Sequence, residues 1–239
     1  MNYMDANYQI PSGSPAEWNK VFLDGWHGVT AAQWALEYML PKFKADIQFI
    51  DGLEGSNPTL KKALRRMRRN VVEDLLRSQH HLPWDRKNNK PFFSELTPSG
   101  DETDKEHALP ISQWKSLVLM ALEAGDAEEA SRRLVFAWLC PTVRVSRTLH
   151  QEISRGEKRR CTDFRRPLCR YDGVLLSRFD AAAIDPERYG FSDMINDLAS
   201  IVPLAPLFEQ LNLAVIQLPS AEEEKEWTVE NTKRSHSAP

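Results

Sequence analysis

The chain has 239 residues, 41% hydrophobic and 27% charged, with a formal net charge of −3, a composition that can bury a core without disulfides or structural metals. Its longest apolar runs, such as Leu117–Leu122, fall far short of the roughly 20 residues needed to cross a membrane as a helix, so a helical membrane protein is excluded. Met1–Tyr8 has neither the basic start nor the apolar stretch of a secretory signal, and a cytoplasmic chain with Cys140, Cys161 and Cys169 reduced is expected.

Residues 1–13 form a leader without hydrophobic periodicity. Ser14-Pro15-Ala16-Glu17 then offers a cap, a proline in the first turn and a carboxylate three residues on, opening a helix with Trp18, Val21, Phe22 and Trp26 at helical spacing. A second helix follows Thr30, carries Trp34, Leu36, Tyr38, Met39 and Leu40, and stops at Pro41. The segment around Ile47, Phe49 and Ile50 fits a strand or a helix equally well and ends at Asp51-Gly52.

From Thr59 to His81 the apolar positions Leu60, Leu64, Met67, Val71, Val72, Leu75 and Leu76 recur every three or four residues, which predicts a long helix. Asn88 to Asp101 reads as a turn-rich connector. Pro110 opens a helix through Trp114, Leu117, Val118 and Leu122 that Gly125 closes, and Asp126 caps the next one from Ala127 to Trp138. Thr142–Val145 alternates and is β-branched, predicting a short strand, and Ser146 caps a helix carrying Leu149, His150 and Ile153. Loop is expected up to Arg170, then a turn and strand over Tyr171–Leu176, a bend at Asp185-Pro186, and helices over Phe191–Ile201 and Pro206–Ile216. The acidic stretch from Glu222 to Glu226 belongs to a disordered tail, residues 220–239. The expectation is a predominantly helical α+β protein, with a helical part over residues 14–98 and an α+β part over residues 99–219 that can share one core.

Cations cluster twice. Lys61, Lys62, Arg65, Arg66, Arg68 and Arg69 occupy nine residues without one acid, forgoing the salt-bridge pattern of a merely solvated helix face. Between Arg144 and Arg170 nine bases face three acids. Both clusters suit a polyanion such as nucleic acid, or an acidic protein partner.

Catalysis on a phosphodiester by a metal-assisted route needs an imidazole to take a proton, a hard cation held by acid or histidine, and positive charge near the phosphate. Glu106, His107 and His150 supply the first two, and Arg144, Arg147 and Arg170 the third. Glu106-His107 followed by Ala108-Leu109-Pro110, with a later strand and helix bearing His150, resembles the HNH branch of the His-Me finger nucleases over roughly residues 105–155. The resemblance implies an endonuclease of a bacterial or phage conflict system. In it His107 is the general base, Glu106 a metal ligand or the group orienting His107, and His150 a metal ligand, with Mg, Mn or Zn as the divalent cofactor. No Asn lies between His107 and His150, and two predicted helices stand where the family has a compact hairpin.

Two other readings use the same residues. Arg144 and His150, with five residues between them, resemble the arginine–histidine pair of HEPN ribonucleases, which implies metal-free cleavage. A non-catalytic regulator or inhibitor would instead use the Arg65, Arg66 and Arg69 face on nucleic acid or protein, alone or as a homo-oligomer. The cysteines lack a Cys-x-x-Cys pair and are read as ordinary thiols, His80-His81 as a helix-end pair, and His27 as packed or surface.

Overall fold

The computed structural model describes residues 31–53, 57–78, 82, 84, 91–96, 102–155, 163–178, 182–216 and 218. The leader, the helix expected after Ser14, His27, His80, His81, Cys161 and the acidic tail lie outside the described residues. What is described is predominantly helical with one small sheet, an α+β architecture.

The chain runs without a break from α1 (Ala31–Gln33) through a π-helical stretch (Trp34–Met39) into α2 (Leu40–Asp51). Pro41 was expected to end the helix and does not. The Leu40 N–H bonds back to the Ala35 carbonyl, five residues away. This wide turn gives a helix room where a proline lacks an N–H and crowds the preceding turn. Ile47 and Ile50, ambiguous by spacing, are therefore helical and buried.

α3 (Pro58–Arg77) begins on Asn57, whose side chain accepts from the Thr59 N–H at 2.8 Å, and carries Pro58 in its first turn. It ends at Arg77, four residues short of His81. Only its C-terminal half is anchored: Val72, Leu75 and Leu76 are buried, whereas Leu60 and Met67 remain exposed.

α4 (Ile111–Glu123) and α5 (Ala127–Trp138) form an antiparallel hairpin whose turn uses Gly125 at φ 76°, a left-handed position glycine takes without strain. The Asp126 carboxylate accepts from the Glu129 N–H at 2.8 Å, the cap expected from sequence. Trp114 on α4 packs against Phe136 on α5 at 5.3 Å between ring centroids and against Phe164 at 5.0 Å. Trp138 donates its indole N–H to the Ser78 carbonyl at 2.9 Å, tying α5 to the end of α3.

Five strands form the sheet among the described residues: β1 (Phe93–Glu95), β2 (Thr103–His107), β3 (Thr142–Ser146), β4 (Leu176–Arg178) and β5 (Ala182–Ile184), in spatial order β2-β3-β1-β4-β5. Only the β1–β3 pairing is parallel. Three of these strands lie where turns or unassigned chain were expected: β1 inside the connector from Asn88 to Asp101, β2 over the acid–histidine pair itself, and β5 just before the bend at Asp185-Pro186. β4 starts where the predicted strand over Tyr171–Leu176 ends, because Cys169–Tyr171 forms a 3₁₀ turn.

β1 lies between β3 and β4, so the boundary expected near residue 98 is crossed by the sheet. One continuous apolar cluster also runs from Ala31 to Ile216. α6 (Arg147–Arg155) follows β3 directly. Near the C-terminal end come α7 (Phe191–Ala199) and α8 (Ala205–Leu211), which terminates on Asn212 in the left-handed conformation, φ 50°.

The sheet has two unlike faces. The register pairs Phe93 with Val143 and with Arg178, and Glu95 with Leu176, placing Phe93, Val143, Val145 and Leu176 on one side, all fully buried. Ser94, Arg144, Lys105 and Ser177 share the other side. The second side is polar but largely covered, with Thr142, Ser146, Ser177 and His107 buried on it.

Candidate functional site

Strand alternation decides which parts of the acid–histidine pair meet. In β2, Asp104 pairs with Val145 and Glu106 with Val143, on the core side, whereas Lys105 pairs with Arg144 and His107 with Thr142 on the other. Ser146 ends β3 and caps α6, its hydroxyl accepting from the Leu149 N–H at 3.3 Å. With no loop between β3 and α6, the first turn of the helix folds back over the sheet edge and delivers His150 onto β2.

There the imidazole lies between two carboxylates. His150 Nδ1 is 2.7 Å from Asp104 Oδ2, and Nε2 is 2.6 Å from Glu106 Oε1. A neutral ring carries one N–H, so both contacts are hydrogen bonds at once only when the ring is doubly protonated or a carboxyl holds the second proton. The three side chains are partly open to solvent, at 28% for His150, 37% for Asp104 and 21% for Glu106. Such a group can hold and pass a proton. The ring also has the second carboxylate that fixes the orientation of metal-bound histidines.

The sequence-derived site is brought together only in part. Glu106 and His150 meet as expected. His107 does not join them: it projects from the opposite face of β2 and is buried at 9% exposure, beside Thr142, whose hydroxyl donates to the Trp84 carbonyl. Consecutive residues of a regular strand cannot reach the same side. Arg144 shares the His107 face and so stands across the sheet from His150, which also separates the two members expected of a metal-free arginine–histidine pair. Arg147, exposed at the start of α6, is ion-paired with Glu102.

Arg170 is buried rather than displayed for a ligand, in the 3₁₀ turn Cys169–Tyr171. Next to it, burial raises the Tyr171 phenol pKa above its ordinary value; the Arg170 charge opposes the rise and the Glu106 charge adds to it. The turn thus lies within the electrostatic reach of Glu106.

Asp104 is the residue that sequence reasoning missed. An acid–x–acid spacing of two places both carboxylates on one side of a strand, but the signal is usable only once residues 103–107 are recognised as extended. No group of three or more histidine, cysteine or acidic side chains among the described residues is arranged to hold a metal ion. Glu106 and His150 Nε2 supply two neighbouring donors, and Asp104 lies on the far nitrogen. Cys140 and Cys169 are free thiols, and burial pushes the Cys140 thiol up to about 12, which keeps it un-ionised and inert.

The second candidate surface is α3. Lys61, Lys62, Arg65, Arg66 and Arg69 are exposed and have no ion pair among the described residues. Two other arginines of the helix are neutralised, Arg68 by Asp51 and Arg77 by Glu73. Glu73 also takes Lys115 of α4 at 2.9 Å, and these two hydrogen-bonded cations hold its carboxyl down to about 2.

No protein-family profile matches the chain, and neither the curated proteins nor the solved structures compared with it gave a match. No helix among the described residues is long and apolar enough to cross a membrane.

Proposed function

We propose that the protein binds nucleic acid, with the N-terminal half of α3 laid against the phosphate backbone. The observation that carries this reading is the contrast within one helix. Five cations from Lys61 to Arg69 are exposed and have no ion pair among the described residues, whereas the helix's other two arginines have acids of their own. Guanidinium groups suit phosphate because their planar fork can engage two oxygens together. Backbone binding of this kind depends steeply on salt, since each neutralised phosphate releases counterions. Fluorescence anisotropy with labelled duplex and single-stranded oligonucleotides at several salt concentrations tests it. Binding that weakens with salt and is lost in Arg65→Glu/Arg66→Glu is expected. An unaltered protein that retains neither probe at low salt would overturn the reading.

A second reading is favoured by the carboxylate–imidazole–carboxylate contact. In it the protein is a phosphodiesterase in which Asp104 fixes the His150 ring through Nδ1, and Glu106 with His150 Nε2 would hold a divalent cation that activates water. Magnesium commonly takes one or two protein carboxylates and completes its shell with water and substrate phosphate, chemistry that would stabilise the charge developing in cleavage. His107, on the other face, has no part in this version. Incubation of labelled RNA and DNA with Mg²⁺ or Mn²⁺ should give cleavage that chelation stops and His150→Ala abolishes. Cleavage that persists in His150→Ala rules this site out, and cleavage that survives chelation but fails in Arg144→Ala points to metal-free chemistry instead.

A further inference from the structure

α3 carries a second apolar face besides the one that anchors it. Leu60, Leu64, Met67 and Val71 follow one another at steps of four, three and four residues, the repeat of a two-helix seam. They form one stripe along the helix. The contacts that bury its second half, Val72, Leu75 and Leu76, lie roughly 100° round the axis from that stripe. Leu60 and Met67 are 38% and 37% exposed, Leu64 is partly buried, and Val71 is packed against the edge of the core. The helix therefore docks on its own core through one face and presents the other to solvent over its first half.

The charges around the stripe suit a helix pair. With Leu60 and Met67 at heptad position d and Leu64 and Val71 at a, the flanking g positions are Ala63 and Asn70, both uncharged, and the e positions are Lys61 and Arg68. Arg68 is already ion-paired with Asp51. Lys62, Arg65, Arg66 and Arg69 fall at f, b, c and f, on the side turned away from the stripe. In a parallel pair each e residue faces a g residue of the partner, so Lys61 and Arg68 meet neutral side chains. In an antiparallel pair e faces e, and the two cations would oppose one another.

We propose that α3 pairs in parallel with α3 of a second copy of this chain, through Leu60, Leu64 and Met67 with Val71 at the edge. A seam of this repeat is self-complementary, as a two-fold interface requires, since each residue meets its own equivalent. The two-fold axis runs along the helices. Because each core lies about a quarter turn from the seam, the two cores go to opposite sides of the pair. Two heptads bury little area, which places the pair among the small, readily dissociating interfaces. The pairing goes beyond the phosphate reading of α3 and does not depend on it, because the outward cations take no part in the seam.

Sedimentation velocity of the full chain over a concentration series tests it. The unaltered protein should pass from monomer to dimer as concentration rises. Leu60→Asp/Met67→Asp should stay monomeric across the same series with its urea midpoint unchanged, both side chains being more than a third exposed. Arg65→Glu/Arg66→Glu should dimerise as the unaltered protein does, whatever becomes of its oligonucleotide binding, so failure of the phosphate reading and failure of the pairing are read separately. Leu60→Cys should cross-link to itself under mild oxidation beyond any cross-link of the unaltered protein, and it keeps the test decisive if the aspartates disturb the helix. A parallel seam sets the two Leu60 positions side by side, whereas an antiparallel one parts them by about three turns, roughly 16 Å. An unaltered protein that stays monomeric throughout, or a dimer that survives Leu60→Asp/Met67→Asp, overturns the proposal. A dimer that Leu60→Cys fails to lock overturns the parallel order.

Discussion

Arg65-Arg66 of α3 and Arg132-Arg133 of α5 are the same dipeptide in two helices, set in opposite surroundings. Arg132 reaches Glu128 and Glu129, each at 2.8 Å, and Arg133 reaches Glu129 at 2.8 Å while donating to the Leu117 carbonyl at 2.8 Å. Glu129 itself is buried at 5% exposure. The α5 arginines thus spend their charge inside the fold, stitching α5 to α4. The α3 arginines stand in open solvent with no acid one turn away, and their charge is available to something outside. For these two dipeptides the difference lies in the neighbouring acids: Glu128 and Glu129 stand three or four residues before Arg132 and Arg133, and no acid stands at that spacing from Arg65 or Arg66.

The largest expected effect lies on the structural side. Glu129→Ala leaves two half-buried guanidinium groups without their shared carboxylate and should cost about 3 kcal/mol, read as a lowered midpoint in urea unfolding. Removing Arg65 and Arg66 by reversal to Glu should leave that midpoint within about 0.5 kcal/mol yet weaken oligonucleotide binding by an order of magnitude or more. The same reversal should lower the salt slope by about one for each phosphate that the helix no longer neutralises. If the two variants exchanged phenotypes, the distinction between the helices would fail.

Trp138→Phe loses the indole N–H that bonds Ser78 and part of a fully buried ring, and should destabilise by about 2 kcal/mol, showing how firmly the anchored end of α3 is held. The smallest effect is pH-dependent. Glu73 has a folded pKa of about 2 against an ordinary 4.5. Its contribution is therefore complete above about pH 4.5 and is lost as pH falls through that window toward 2. A Glu73→Gln variant should show a flatter loss of stability between those values. Because the carboxyl is about one-third exposed, solvent screening keeps the difference under about 1 kcal/mol.

Helices were legible in the chain wherever periodicity and punctuation agreed. Gly125 and Asp126 marked the α4–α5 turn, Ser146 marked the start of α6, and the three-to-four spacing from Leu60 to Leu76 marked α3. Pro41 misled because a proline stops an ordinary helix, and the wide π turn that accommodates it has no sequence signature of its own. β1 and β2 were not legible: Phe93–Glu95 and Thr103–His107 are too short and too polar to show alternation. Their extended state comes from pairing with β3, a partner 35 to 50 residues away in the chain.

The candidate site divides along the same line. The sequence by itself determined the helical character, the α5 cap, the cationic stripe on α3, and that Glu106 and His150 were worth attention, since each follows from residue type and local spacing. Only the tertiary structure decided that Asp104 completes the group while His107 and Arg144 turn away. That choice depends on the register between β2 and β3, and a strand sends successive side chains to opposite faces.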